Sequence, residues 1–206
     1  MLYEYLMTNY NPNEPIFISD INLPISNGNL RKKIKELCDA GKIKRFDTGI
    51  YYLPKKSRLK GDIPLSVDTV ARYKYISRNG NIVGYYSGYT FANQLGATTQ
   101  VPYVIEIVSN NASAKVREVS LQGRRIVLRK SRIPVTKENY VVLQFLDFLK
   151  AADQYADDNN DDLCLRIRKY IIDEKIKKSD VDLYIKQYPD KIYRNIYEMG
   201  LYDVLA

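Results

Sequence analysis

The sequence predicts an α+β fold in two parts: three short helices and a basic hairpin, then a mixed domain with a small antiparallel sheet and a helical second half. Three observations carry that expectation. Apolar positions up to about residue 60 recur first at helical spacing and then in two β-prone runs around a glycine turn. A polar, proline-containing stretch at 55–64 reads as a linker, separating a unit 1–60 from a unit 66–206. Beyond it, short β-prone runs give way near Val135 to segments of helical apolar spacing.

In the first unit, Leu2, Tyr5 and Leu6 share one face of a helix that ends before Asn11-Pro12-Asn13. Pro15-Ile16-Phe17-Ile18 is extended. Ser19 is placed to cap a brief second helix, Asp20 to Leu23, which Pro24 stops. Ser26 or Asn27 caps a third helix that runs to Ala40, with Gly41 as its terminal glycine. At about 100° per residue, Leu30, Ile34, Leu37 and Cys38 form one apolar stripe on it. Asn29, Lys32, Lys35 and Glu36 face the other way, with Arg31 and Lys33 on the flanks. Lys42 to Phe46 and Ile50 to Leu53 are β-prone runs joined by Asp47-Thr48-Gly49, a hairpin with glycine where positive φ is needed.

Three helices followed by a basic hairpin make a winged helix-turn-helix. The charge lies where such a fold meets DNA. The chain carries a formal net charge of +8, and the segment Arg31–Lys60 alone, with eleven Lys/Arg against Glu36, Asp39 and Asp47, carries the same excess. Localised charge of this kind points to a polyanion surface. The third helix would enter the major groove with Asn27, Asn29, Arg31, Lys32, Lys33 and Lys35, of which Asn29, Lys32 and Lys35 face the bases. Lys42, Lys44, Arg45 and Thr48 of the wing, with Lys55, Lys56 and Arg58 behind it, would follow phosphates.

The segment Ile18-Ser19-Asp20-Ile21, then Leu30 through Leu37, then Gly41-Lys42-Ile43-Lys44-Arg45-Phe46-Asp47-Thr48-Gly49-Ile50-Tyr51-Tyr52-Leu53-Pro54 resembles the winged-helix start of AbiEi-type antitoxins. A second resemblance to that family is Gly84-Tyr85-Tyr86-Ser87-Gly88-Tyr89-Thr90-Phe91-Ala92-Asn93-Gln94-Leu95-Gly96, running on to Thr98-Thr99-Gln100-Val101-Pro102. Together they span roughly residues 15–130. The resemblance implies a type IV toxin–antitoxin role. A DNA-binding antitoxin would repress its own operon through inverted repeats and counter a nucleotidyltransferase-like toxin without needing a stable complex with it.

In the second unit, Val67, Val70, Ala71 and Tyr75 fit a helix, and Asn79-Gly80-Asn81 turns into a strand at 82–86. Ser87 is placed to cap a helix from Tyr89 to Leu95, closed by Gly96. Tyr103 to Val108 is a strand, and Lys115 to Leu121 pairs with Arg124 to Lys130 across Gln122-Gly123. Thr136 caps a helix bearing Tyr140, Leu143, Leu146 and Leu149. Further helices follow at Leu163, Ile167 and Ile171, at Val181, Tyr184 and Ile185, and at Ile192, Ile196 and Met199.

A second basic surface is offered by residues 115–132, seven Lys/Arg against Glu118, with Arg124, Arg125, Arg129 and Arg132 as the candidate contacts. If the strand alternates, Arg125, Val127 and Arg129 share a solvent face opposite Ile126 and Leu128. Six Asp between 147 and 162 hide this charge in the domain sum. The glycines at 84, 88 and 96 match neither a phosphate loop nor a dinucleotide fingerprint.

The chain has no histidine, which excludes His-based nucleophile activation, imidazole general bases and His-ligated metal. Cys38 and Cys164 cannot supply a four-ligand zinc site by themselves and read as small buried apolar groups. No paired-carboxylate motif is evident. The expectation is a non-enzyme without cofactor, metal or catalytic residues, whose partner is double-stranded DNA. With no apolar run of membrane-spanning length and no leader pattern at Met1, membrane is excluded as a partner and the cytoplasm is the expected site. Three alternatives remain open: a winged-helix repressor without antitoxin activity, a nucleic-acid-processing enzyme that uses the winged helix for targeting, and an RNA-binding or protein-interaction module.

Overall fold

In the computed structural model the described residues are 1–57, 61–78, 80–155 and 160–205. The chain divides into two compact units, Met1–Tyr73 and Lys74–Ala206. The division falls within the helix Val67–Tyr75, beyond the stretch read from sequence as a linker.

The first unit opens with α1 (Leu2–Asn9), which buries Leu2 and Leu6. β1 (Ile16–Phe17) follows, and then a single 3-10 turn, Ile18–Asp20, stands where the helix Asp20 to Leu23 was expected. Ser19 does not cap it, because its Oγ donates to Asp20 Oδ1. Pro24 lies too close behind for an α-helical ladder to develop. α2 (Asn27–Asp39) starts at Ser26, whose Oγ accepts the Asn29 N–H at 3.3 Å. It ends in a Schellman motif around Gly41, at φ +67°: the Gly41 N–H donates to Cys38 O and the Lys42 N–H to Leu37 O. Leu30 and Ile34 are buried with Leu6, Ile16, Ile43 and Leu53, and Leu37 and Cys38 pack partly buried against them. Cys38 and Cys164 are both half-buried rather than enclosed, and burial pushes the Cys38 thiol up.

β2 (Lys44–Asp47) and β3 (Ile50–Tyr52) form the expected hairpin, bulged between Arg45 and Asp47, with Gly49 at φ +73°. β1 pairs antiparallel with β3, giving the order β1-β3-β2. The supposed linker is partly folded: β4 (Lys55–Lys56) pairs antiparallel with β5 (Asp62–Ile63). Ser66 Oγ then accepts the Thr69 N–H and begins α3 (Val67–Tyr75).

The second unit begins with β6 (Ser77–Arg78) and β7 (Asn81–Ile82), a two-stranded ladder, followed by β8 (Gly84–Tyr86). Asn79, expected in that turn, lies outside the described residues. The strand expected over 82–86 is broken at Val83, whose N–H donates to Ile76 O and whose carbonyl accepts the Asn110 N–H. α4 (Gly88–Gln94), β9 (Ile105–Ser109), β10 (Val116–Leu121) and β11 (Arg124–Lys130) complete a four-stranded sheet of order β10-β11-β9-β8. The β10–β11 turn runs through Gln122 at φ +47° and Gly123 at φ +80°, both left-handed as a type I′ hairpin requires.

The β8–β9 and β10–β11 pairs are antiparallel, but β9 and β11 run parallel, so the sheet is mixed where an antiparallel one was expected. Placing β11 beside β9 buries its Ile126 and Leu128 centrally, and leaves the polar strand β10 at the edge. One sheet face is the buried set Ile105, Ile107, Ile126 and Leu128. The other carries Tyr85 and Val108, then Glu106, Val127 and Arg129 in register. Over Tyr85 and Val108 lies the helical half: α5 (Tyr140–Leu149), α6 (Asn160–Asp173), α7 (Lys178–Tyr184) and α8 (Lys191–Glu198). They share one core with Phe91, Phe145, Leu146, Ile167 and Ile192. Asn139, not the expected Thr136, stands at the N-cap of α5 and makes no side-chain cap bond, its Oδ1 instead accepting the Thr136 N–H at 2.8 Å in the preceding turn. Among the described residues no helix is long and apolar enough to cross a membrane.

Candidate nucleic-acid interface

Helix α2 separates its two faces sharply. Leu30 and Ile34 are 5% and 2% exposed, while Asn27, Asn29, Arg31, Lys32 and Lys35 are all exposed and Lys33 is half-exposed. Among the described residues none of Arg31, Lys32, Lys33 and Lys35 forms an ion pair. The Ser26 cap and the Gly41 stop fix both ends of the helix, so these cations stand on a rigid element with their charge uncompensated. A row of unpaired ammonium and guanidinium groups beside exposed amides can bind phosphates and read base edges.

The cations of the hairpin are not equivalent. Lys42 Nζ lies over the Tyr3 ring, 5.0 Å from its centroid, which anchors the base of the hairpin. Arg45 donates to Asp47 O at 3.4 Å and to Thr48 Oγ1 at 3.2 Å, bracing the turn from within. Lys44 and Lys56 converge on one carboxylate, Asp62, at 2.8 and 2.9 Å. The Asp62 side chain is only 13% exposed. Hydrogen bonding to Lys44, and then to Lys56, holds its carboxyl below the usual range, and the Lys44 ammonium is correspondingly pushed up.

Two of the residues assigned from sequence to phosphate contact thus share one carboxylate, which offsets one of their two charges and lies in the stretch read from sequence as a linker. The signal was available in Lys55-Lys56 followed by Gly61-Asp62, a short hairpin that sets Lys56 opposite Asp62. Lys55 is exposed, and among the described residues it has no ion pair. Arg58 lies outside the described residues.

In the second unit the four arginines do not form one free surface. Arg124 donates to Pro102 O at 3.0 Å, and Arg125 pairs with Glu118 at 2.9 Å across the β10–β11 ladder. Arg129 pairs with Glu106 at 2.8 Å, and the Arg132 guanidinium lies 5.8 Å from the Tyr188 ring centroid. Of the acidic run, Asp147 holds Lys150 at 3.0 Å and Asp153 holds Lys191 at 2.7 Å, while Asp157 and Asp158 lie outside the described residues.

Glu106 is a residue the sequence reading passed over. Besides Arg129, it accepts the Tyr89 N–H at 2.8 Å, so it caps α4 in place of Ser87, whose hydroxyl makes no cap bond. Gly88 sits beneath it at φ +55°, and a Cβ there would collide with the carboxylate. Behind it Tyr85 donates to Asp147 at 2.8 Å, and burial pushes its hydroxyl far above the usual range, keeping it a neutral donor. Among the described residues no group of three or more Cys, Asp or Glu could hold a metal ion.

Among curated proteins none matches this chain. A family model described as a family of unknown function, DUF6088, matches residues 10–178, and the chain belongs to that family.

Proposed function

We propose that the chain is a sequence-specific DNA-binding regulator whose first unit acts as a winged helix-turn-helix. In this reading α2 is the helix presented to the major groove and the β2–β3 hairpin is the wing. The observation that carries it is the exposed, unpaired basic face of α2, set on a helix whose opposite face is buried. The element order of helix, strand, turn, helix and hairpin, with β1 added to the hairpin, supports the same reading.

By its resemblance to AbiEi-type antitoxins, the chain would repress its own operon through inverted repeats. It would also counter a nucleotidyltransferase-like toxin encoded beside it, as a type IV antitoxin of phage defence. The antitoxin activity and the repression of its own operon rest on that resemblance, while DNA binding rests on residues. A reporter fused to the DNA upstream of the chain's own gene tests the first half. Repression is expected from the intact chain and loss of repression from Lys32→Ala/Lys35→Ala. Growth of cells expressing the neighbouring gene, with and without the chain, tests the second. Repression unchanged by the double substitution would remove α2 from the mechanism.

A further inference from the structure

Two adjoining cavities open on the second unit's sheet where the helical layer ends. The larger has a volume of about 500 Å³ and the smaller about 230 Å³. They share Arg129, Asp147 and Lys150 among their walls. Five Lys/Arg side chains line the larger one against a single carboxylate, Asp147, and Glu106 lines the smaller. Arg129 is matched by Glu106 and Lys150 by Asp147. Lys115, Lys130 and Arg132 have no carboxylate partner among the described residues. The site therefore keeps three uncompensated cations beside two that are already paired and fixed in place.

Two more features point to a ligand. Ser87, 7% exposed, lines the adjoining smaller cavity, and its buried Oγ has no hydrogen-bond partner. Tyr85 and Tyr188 line the larger one with their hydroxyls committed to Asp147 and to Leu143 O, so they supply apolar wall more than polar contacts. The larger cavity falls in the size range of small-ligand sites, about 300–1,000 Å³. Three unpaired cations around a cavity of this size suit a small ligand with a multiply charged anionic end.

We infer that this cavity binds a small phosphorylated ligand of nucleotide size, with Lys115, Lys130 and Arg132 on its phosphate groups. The site is built from second-unit residues and would make the regulator responsive to a soluble metabolite. The same cations could instead serve a DNA backbone, and the test distinguishes the two.

Calorimetric titration of the full chain at 150 mM salt would use ATP, AMP and pyrophosphate as probes, with adenosine as the uncharged control. Saturable binding of ATP is expected, with AMP weaker and adenosine absent. Lys130→Ala/Arg132→Ala should weaken ATP by about tenfold or more, and Lys115→Ala less. These side chains are exposed, and an unchanged melting temperature checks that the variants fold. Lys32→Ala/Lys35→Ala should leave ATP binding intact, so a failure of the DNA reading does not touch this one. Absence of saturable binding by any phosphorylated probe up to millimolar concentration would overturn the inference. So would binding indifferent to Lys130→Ala/Arg132→Ala, or a loss of duplex affinity in that variant without any small-probe binding.

Discussion

Removing Lys32 and Lys35 together is the sharpest perturbation of the α2 face. Both are exposed, neither is ion-paired among the described residues, and they lie on the face opposite the buried Leu30 and Ile34. Folding should therefore not register their loss, since Lys→Ala at exposed helix positions changes stability by only a few tenths of a kcal/mol. Binding should. A hydrogen bond to a charged group contributes about 1.5–3 kcal/mol, so two lost contacts cost about 3–6 kcal/mol, or roughly 10²- to 10⁴-fold in affinity. The salt dependence gives a second reading. Among the described residues, the cations of α2 and the two hairpins not held by a carboxylate are Arg31, Lys32, Lys33, Lys35, Lys42, Arg45 and Lys55. If all of these neutralise phosphates, log K falls with log salt at a slope of about −6, and the variant at about −4.5. The assay is fluorescence anisotropy with a labelled upstream duplex between 50 and 300 mM salt, beside thermal melts of both proteins. A folded variant that binds within threefold of the parent at the same slope would refute the assignment of α2.

Asp62→Asn releases Lys44 and Lys56, so non-specific duplex affinity should rise and the salt slope steepen by up to about 1.8; an unchanged slope would mean that the two ammonium groups do not reach phosphates. The same carboxyl bears on acid stability. Because its folded-state value is depressed, it stabilises above its unfolded value and loses that contribution as pH falls through the folded one, so part of the acid loss below about pH 4 should vanish in Asp62→Asn. Ile34→Ala, at a position 2% exposed, should cost about 2–5 kcal/mol in denaturant unfolding of the first unit. Gly88→Ala combines positive φ with a clash against Glu106 and should destabilise by more than about 1 kcal/mol; Glu106→Ala in the same chain should recover the steric part, read by thermal melting.

What could be read ahead of the structure follows from how local the cause is. The stop of α2 at Gly41, the Gly49 turn and the Gln122-Gly123 hairpin each depend on a few adjacent residues, and each forms where periodicity and glycine place it. The short segment after Ser19 failed because capping preference was weighed without counting the residues left before Pro24. The parallel β9–β11 pairing could not be read locally, since it depends on which strand of the hairpin is the more apolar and therefore central. For the candidate site, the exposed face of α2 was legible because helical spacing alone sets it. The pairing of Lys44 and Lys56 with one carboxylate was not, because it requires the β4–β5 register that brings Asp62 between them. Glu106 escaped for the same reason: it contacts Tyr89 and Arg129, far from it in sequence.

The central claim is that the α2 face reads a DNA sequence. The direct measurement is the ratio of affinities, at 150 mM salt, for a duplex from upstream of the chain's own gene and for a shuffled duplex of the same composition, with double-stranded RNA as a third arm. Sequence-specific binders discriminate by about 10³-fold or more. A ratio of that size, lost in Lys32→Ala/Lys35→Ala, is the result expected. Equal affinity for all three nucleic acids would contradict it and leave the basic face as a general polyanion surface.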